Sequence, residues 1–247
     1  MDGNSIGRVL KGVLALQIGI GAFLAVADLS SGGIRLPRFG PGAPELTEPV
    51  RPGDQRRTYD PSRVSPDLNP VRNPGEMPER LTLTQESGAT WRLEGGISPG
   101  DAERIQDRIA EVQPRPERLI LQSPGGSVQD ALRLGRFLRQ EGIGTEMLSG
   151  EYCYSACPYL FAAGATRSLE EGAQLGVHQH YFGKSTILPA FVAVEDIQRG
   201  QGEVMTYLDE MGIDPLVMQH ALTTPPDEIY VLVSEEIERY GFETGAE

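Results

Sequence analysis

Ten prolines fall between Pro37 and Pro78, and nothing else in the sequence limits the fold as sharply. Proline lacks an amide hydrogen and fixes its own φ, so so dense a tract supports neither a helix nor a central strand. The stretch has no apolar periodicity and cannot bury enough surface to fold alone. Residues 32–80 are therefore expected to form an extended, semi-rigid linker, with a proline-rich ligand for a partner domain as the alternative. What can fold into a sizeable core lies after it, over residues 81–247.

Before the linker, Arg8 and Lys11 precede an uncharged run from Gly12 to Ala27. As a helix this run rises about 24 Å, just short of a hydrocarbon core of roughly 30 Å. Val9 and Leu10, with Lys11 reaching to the headgroups, bring it to spanning length. Residues 1–31 are expected to be a signal-anchor or transmembrane segment. Its basic end stays cytoplasmic and the rest of the chain crosses to the periplasm or cell exterior. Two other readings stay open: a signal peptide cut after Ala25-Val26-Ala27, and a buried soluble helix. Charge narrows the function. With 22 Lys+Arg against 35 Asp+Glu, the net charge of −13 argues against a nucleic-acid partner, which needs clustered basic residues. Two cysteines exclude a disulfide framework and a four-cysteine zinc site.

Strands and helices alternate after residue 80. LTLTQ and ATWRLEG flank Glu86-Ser87-Gly88 as a hairpin, and Ser98 is placed to cap a helix with Pro99 at its first position. Strands are expected over 118–122, 143–148, 174–181 and 229–233. Helices are expected over 128–140, 194–211 and 214–222, with Ser234 capping a last one. This order predicts an α/β domain with a largely parallel sheet.

The chemistry starts at Ser155, in YCYSACPYL between a strand and a helix. A serine there raises its hydroxyl above the sheet edge, with the next amide pointing the same way. The alternative is a plain helix N-cap. In SPGGSV, Gly125 and Gly126 permit close backbone approach and free amides to face an anion, although such a loop also occurs without function. The chain has three histidines. By the two-residue strand period His178 and His180 share a face, and either can act as general base to a serine; His220 reads as structural. The same pair suggests a metal, but spacing supplies no third ligand, so neither metal nor cofactor is assigned. Lys184, the sole lysine past the anchor, lies outside a strand and makes a poor partner for a Ser–Lys dyad.

The order strand–SPGGSV–helix–strand–CYSAC–helix–AAGATR–LGVHQ resembles the Clp protease proteolytic subunit within the ClpP/crotonase superfamily. It is more similar still to the periplasmic or membrane-anchored ClpP-like proteins of bacteria. The likeness runs over 119–242. It implies a ClpP/crotonase-like fold of ββα repeats and a serine hydrolase acting on peptide or protein; no cofactor is assigned, and a homo-oligomer is left open. It implies Ser155 as nucleophile, His178 as base and Asp227 as the acidic member, with Glu228 as substitute. The amides of Gly126 and Ala156 would form the oxyanion hole, and Gly125 would bind substrate. Two departures matter. Cys153 and Cys157 replace glycines around the nucleophile, and the family's barrel-forming subunits carry no anchor. The alternative is a catalytically inactive assembly or peptide-binding module of the same fold. An acyl-CoA enzyme is disfavoured by the lack of a basic cluster for nucleotide phosphates.

Cys153 and Cys157 bracket Ser155. In a regular helix their Cα atoms would lie about 6.2 Å apart, inside the disulfide window of roughly 4.4–6.8 Å. With Cys153 ahead of the helix, a turn can bring its Cβ toward Cys157, and an extracytoplasmic setting permits oxidation. A disulfide is expected; two small buried thiols are the alternative.

Overall fold

The computed structural model describes residues 11–20, 23, 56–58, 77–180 and 190–244. The chain divides into two units, Met1–Ala43 and Pro44–Glu247. In the first, residues 11–20 and 23 are helical and exposed. Among the described residues no helix is long and apolar enough to cross a membrane; the rest of the expected anchor lies outside them.

The second unit is mixed α/β, and its strands divide between two sheets where the sequence suggested one. The five-stranded sheet runs β2 (Thr82–Ser87), β3 (Thr90–Glu94), β4 (Arg118–Gln122), β5 (Gly144–Met147) and β7 (Arg167–Leu169). β2 and β3 form the antiparallel hairpin, and the remaining neighbours are parallel. The four-stranded sheet runs β1 (Arg56–Thr58), β9 (Glu228–Val231), β8 (Gln174–Val177) and β6 (Tyr152–Tyr154). Here β6 and β8 are parallel, and β9 is antiparallel to both of its neighbours. The proline-rich tract thus supplies an edge strand, with Arg57 opposite Ile229. A parallel bridge between Ser123 and Cys153 joins the end of β4 to β6.

Alternation explains the core. Leu119 and Leu121 of β4 project to one face, where they join Ile105 and Ile109 of α1 (Asp101–Glu111) and Leu134 and Leu138 of α2 (Val128–Gln140). Burying each such side chain stabilises the fold by about 1.5–3 kcal/mol. Arg92 is buried with Glu151 as a hydrogen-bonded ion pair.

Some helix boundaries differ from expectation for local reasons. α1 starts at Asp101, not behind a Ser98 cap, because Gly100 takes φ 84°. The Ser98 amide instead donates to the Asp101 carboxylate at 2.8 Å. The helix expected over 214–222 breaks in two: Asp214 accepts from the Leu216 amide and starts a 3₁₀ turn, Pro215–Val217, ahead of α5 (Met218–Thr223). In α6 (Ser234–Arg239) the Glu236 carboxylate reaches back to the Val233 amide at 3.1 Å, so Val233 holds the cap position. Between them, α3 (Cys157–Ala162) and α4 (Ala190–Glu210) complete the unit.

One buried cation ties distant segments together. Arg167 donates to the carbonyls of Gly164 (3.2 Å), Gly241 (3.0 Å) and Phe242 (2.8 Å), and more weakly to Ala162. Burial pulls its pKa down to about 10, helped by neighbouring Arg139.

Candidate active site

Ser155 follows directly on β6 and has φ 62°, the one described residue other than glycine with positive φ. That backbone region is unfavourable for an L-residue and persists only where the surroundings impose it. They do so on both sides. The Ser155 amide donates to the Gly176 carbonyl at 2.9 Å, and the Tyr154 amide to Ser123 at 3.0 Å. A disulfide between Cys153 and Cys157, with Cα atoms 5.1 Å apart, closes the chain around the serine.

The SPGGSV loop packs on this turn. A Cβ added to Gly125, which has φ 93°, would lie 2.5 Å from the Ser155 Cβ and 2.8 Å from the Ala156 nitrogen. Only glycine allows that approach. The Gly125 amide is occupied by the Ser123 hydroxyl at 3.1 Å, while the amides of Gly126 and Ala156 donate to no described group.

His178 lies just past β8, buried, with Nε2 2.7 Å from Ser155 Oγ. Its Nδ1 is 3.1 Å from the carbonyl oxygen of Pro226. A carbonyl only accepts, so Nδ1 carries the proton and Nε2 accepts from the serine hydroxyl. Burial pulls the imidazole pKa below its ordinary 6.5, partly offset by hydrogen bonding to the backbone of Pro226 and Glu228.

The acidic member inferred from the sequence is not on the ring. Asp227 is exposed, and Glu228 bears on His178 through its backbone. The reason is the turn: Pro225 and Pro226 stiffen it, and the Glu228 amide closes it onto the Pro225 carbonyl at 3.0 Å. It presents a carbonyl to the imidazole and turns the Asp227 side chain outward. No side-chain pattern could have flagged a backbone acceptor.

β8 ends at Val177, so strand alternation does not govern the two histidines beyond it, and they diverge. His180 Nε2 lies 2.7 Å from the Tyr159 hydroxyl. His220 stacks on Tyr230 at 4.3 Å and meets the Tyr240 hydroxyl at 2.8 Å. Lys184 lies outside the described residues. Among the described residues no three His, Cys, Asp or Glu side chains gather to hold a metal. Sequence reasoning also missed Ser123, whose hydroxyl donates to the Gly95 carbonyl at 2.6 Å and accepts the Gly125 amide, which leaves the next amide unengaged.

A strained serine, a histidine that accepts its proton and two amides that engage no described group are the parts of an acyl-transfer site. No protein-family model matches the chain, and no curated protein matches it.

Proposed function

We propose that this chain is a serine hydrolase of ClpP-like fold, tethered to the membrane with its α/β domain periplasmic or extracytoplasmic, and that it cleaves peptide bonds. One observation carries the reading: Ser155 Oγ sits 2.7 Å from His178 Nε2 on a backbone strained to φ 62°. Ser155 attacks the substrate carbonyl as His178 takes its proton at Nε2. The amides of Gly126 and Ala156 receive the developing oxyanion. The imidazolium then returns its proton to the leaving amine, and a water repeats the cycle to release the acyl group. The Pro226 carbonyl holds the productive tautomer throughout. A neutral carbonyl stabilises the imidazolium less than a carboxylate does, so turnover is expected to be slow for a serine peptidase.

The same feature favours a second reading, a binding module that kept the fold without the reaction. A fluorophosphonate probe separates the two. Covalent labelling of the wild-type protein that is absent from Ser155→Ala supports the hydrolase; equal labelling of both, with the fold intact, supports the module. For the topology, protease added to intact spheroplasts is expected to digest residues beyond Arg80, and their protection would reverse the orientation.

A further inference from the structure

Among the described residues two side-chain hydrogen bonds join the segment after β6 to the segment after β8. The first is Ser155 to His178. The second lies one helical turn along: the Tyr159 hydroxyl is 2.7 Å from Nε2 of His180, with the two rings edge-on at 5.8 Å. Tyr159 is itself fixed, buried in α3 with its carbonyl accepting the Tyr207 hydroxyl at 2.7 Å. Burial pushes the Tyr159 phenol well above its ordinary pKa, so it keeps its proton. A protonated phenol donates to a bare Nε2 or accepts from a protonated one, so the bond forms with either His180 tautomer. Burial, with His178 beside it, holds the His180 pKa at about 4, so His180 is neutral near neutral pH.

We infer that Tyr159 and His180 are positioning residues for His178, their hydrogen bond fixing the chain two residues beyond the base over the Ser155 turn. Gln179 secures the same stretch to a different segment, donating from its amide to the Thr224 carbonyl at 2.9 Å and from its side chain to Leu222 at 2.7 Å. His178 is thus held between the helix that follows the nucleophile and the turn that carries Pro226. Neither Tyr159 nor His180 is a catalytic residue; both act through where they hold the imidazole. A displacement of about 1 Å in such a group lowers reactivity by about 100-fold. The inference rests on the hydrolase reading.

The test uses full-length protein and two readouts. One is the second-order rate of Ser155 labelling by a fluorophosphonate. The other is the imidazole nitrogen shifts of His180, which distinguish the two tautomers. Tyr159→Phe keeps the buried ring and deletes only the hydroxyl. Its labelling is expected to fall about 10- to 100-fold with the fold intact, and His180 to pass from one dominant tautomer to a mixture. His180→Gln, whose amide oxygen can accept from the phenol, is expected to label faster than His180→Leu; this pair reads the same bond should Tyr159→Phe unfold. Equal rates for wild type and Tyr159→Phe, equal rates for the two His180 variants, or a mixture of His180 tautomers in the wild type would each overturn the positioning role alone. Wild-type labelling no faster than Ser155→Ala overturns the hydrolase reading and the positioning role with it.

Discussion

Opening the Cys153–Cys157 bridge would remove the one covalent constraint on the turn that carries Ser155. The bridge joins residues four apart, and closing so short a loop contributes about 2 kcal/mol in the chain-entropy description. Against it stands the positive φ of Ser155, a conformation that costs a residue of this kind about 1–2 kcal/mol. The backbone bonds flanking the turn, Ser155 to Gly176 and Tyr154 to Ser123, contribute about 1 kcal/mol each. Bridge and strain are therefore of similar size, and without the bridge the remaining bonds only just hold the serine in place. For the double variant Cys153→Ala/Cys157→Ala, the melting temperature is expected to fall by roughly 4–8 °C for a domain of this size. Fluorophosphonate labelling is expected to slow about tenfold. Dithiothreitol should reproduce both effects in the wild type and leave the double variant unchanged. The reasoning fails if wild-type labelling and melting are indifferent to reductant. It fails equally if denatured, unreduced protein alkylates at both cysteines.

Three other substitutions or conditions probe the same site. Ser155→Gly is expected to abolish labelling yet stabilise the domain by about 1 kcal/mol in urea unfolding, since glycine adopts positive φ without strain; lost stability would contradict the strained turn. Gly125→Ala would set a methyl group 2.5 Å from the Tyr154 carbonyl oxygen, and a loss of about 2–4 kcal/mol with loss of labelling is expected. The pH dependence follows from three histidines, His178, His180 and His220, each held below the ordinary 6.5 chiefly by burial. Because the unfolded chain binds these protons more readily, stability is full above about pH 6.5 and declines as pH falls toward about 4, where His180 titrates. Melting curves between pH 7.5 and 4.5 measure the decline, and a flat profile would refute the burial argument. Labelling should likewise persist below pH 6.5 and fall only as His178 takes up its proton.

The proximity of Ser155 to His178 was within reach of the sequence because both are side chains with recognisable chemistry, each at the end of a strand. The Pro226 carbonyl was not, since a backbone acceptor leaves no mark on residue identity. Nor was the division into two sheets. Alternation orders strands along the chain, but the Ser123–Cys153 bridge that hands β4 over to β6 is a contact between residues thirty apart. β6 and β7 span three residues each, too few for any periodicity. The His178/His180 pair shows a subtler limit: the two-residue rule is valid only inside a strand, and β8 stops one residue short of them.

Arg167 also sets a timetable. Its acceptors at Gly241 and Phe242 lie 74 and 75 residues further along the chain, while those at Ala162 and Gly164 belong to the end of the helix that begins beside Ser155. A chain still emerging from the ribosome has made the serine, both cysteines and every histidine before it owns the carbonyls that seat this guanidinium. Until residues 241 and 242 are made, the charge behind the Ser155 turn has only part of its coordination, and the helix it braces is correspondingly loose. The turn that carries Ser155 is thus expected to reach its full rigidity only after residues 241 and 242 have been translated.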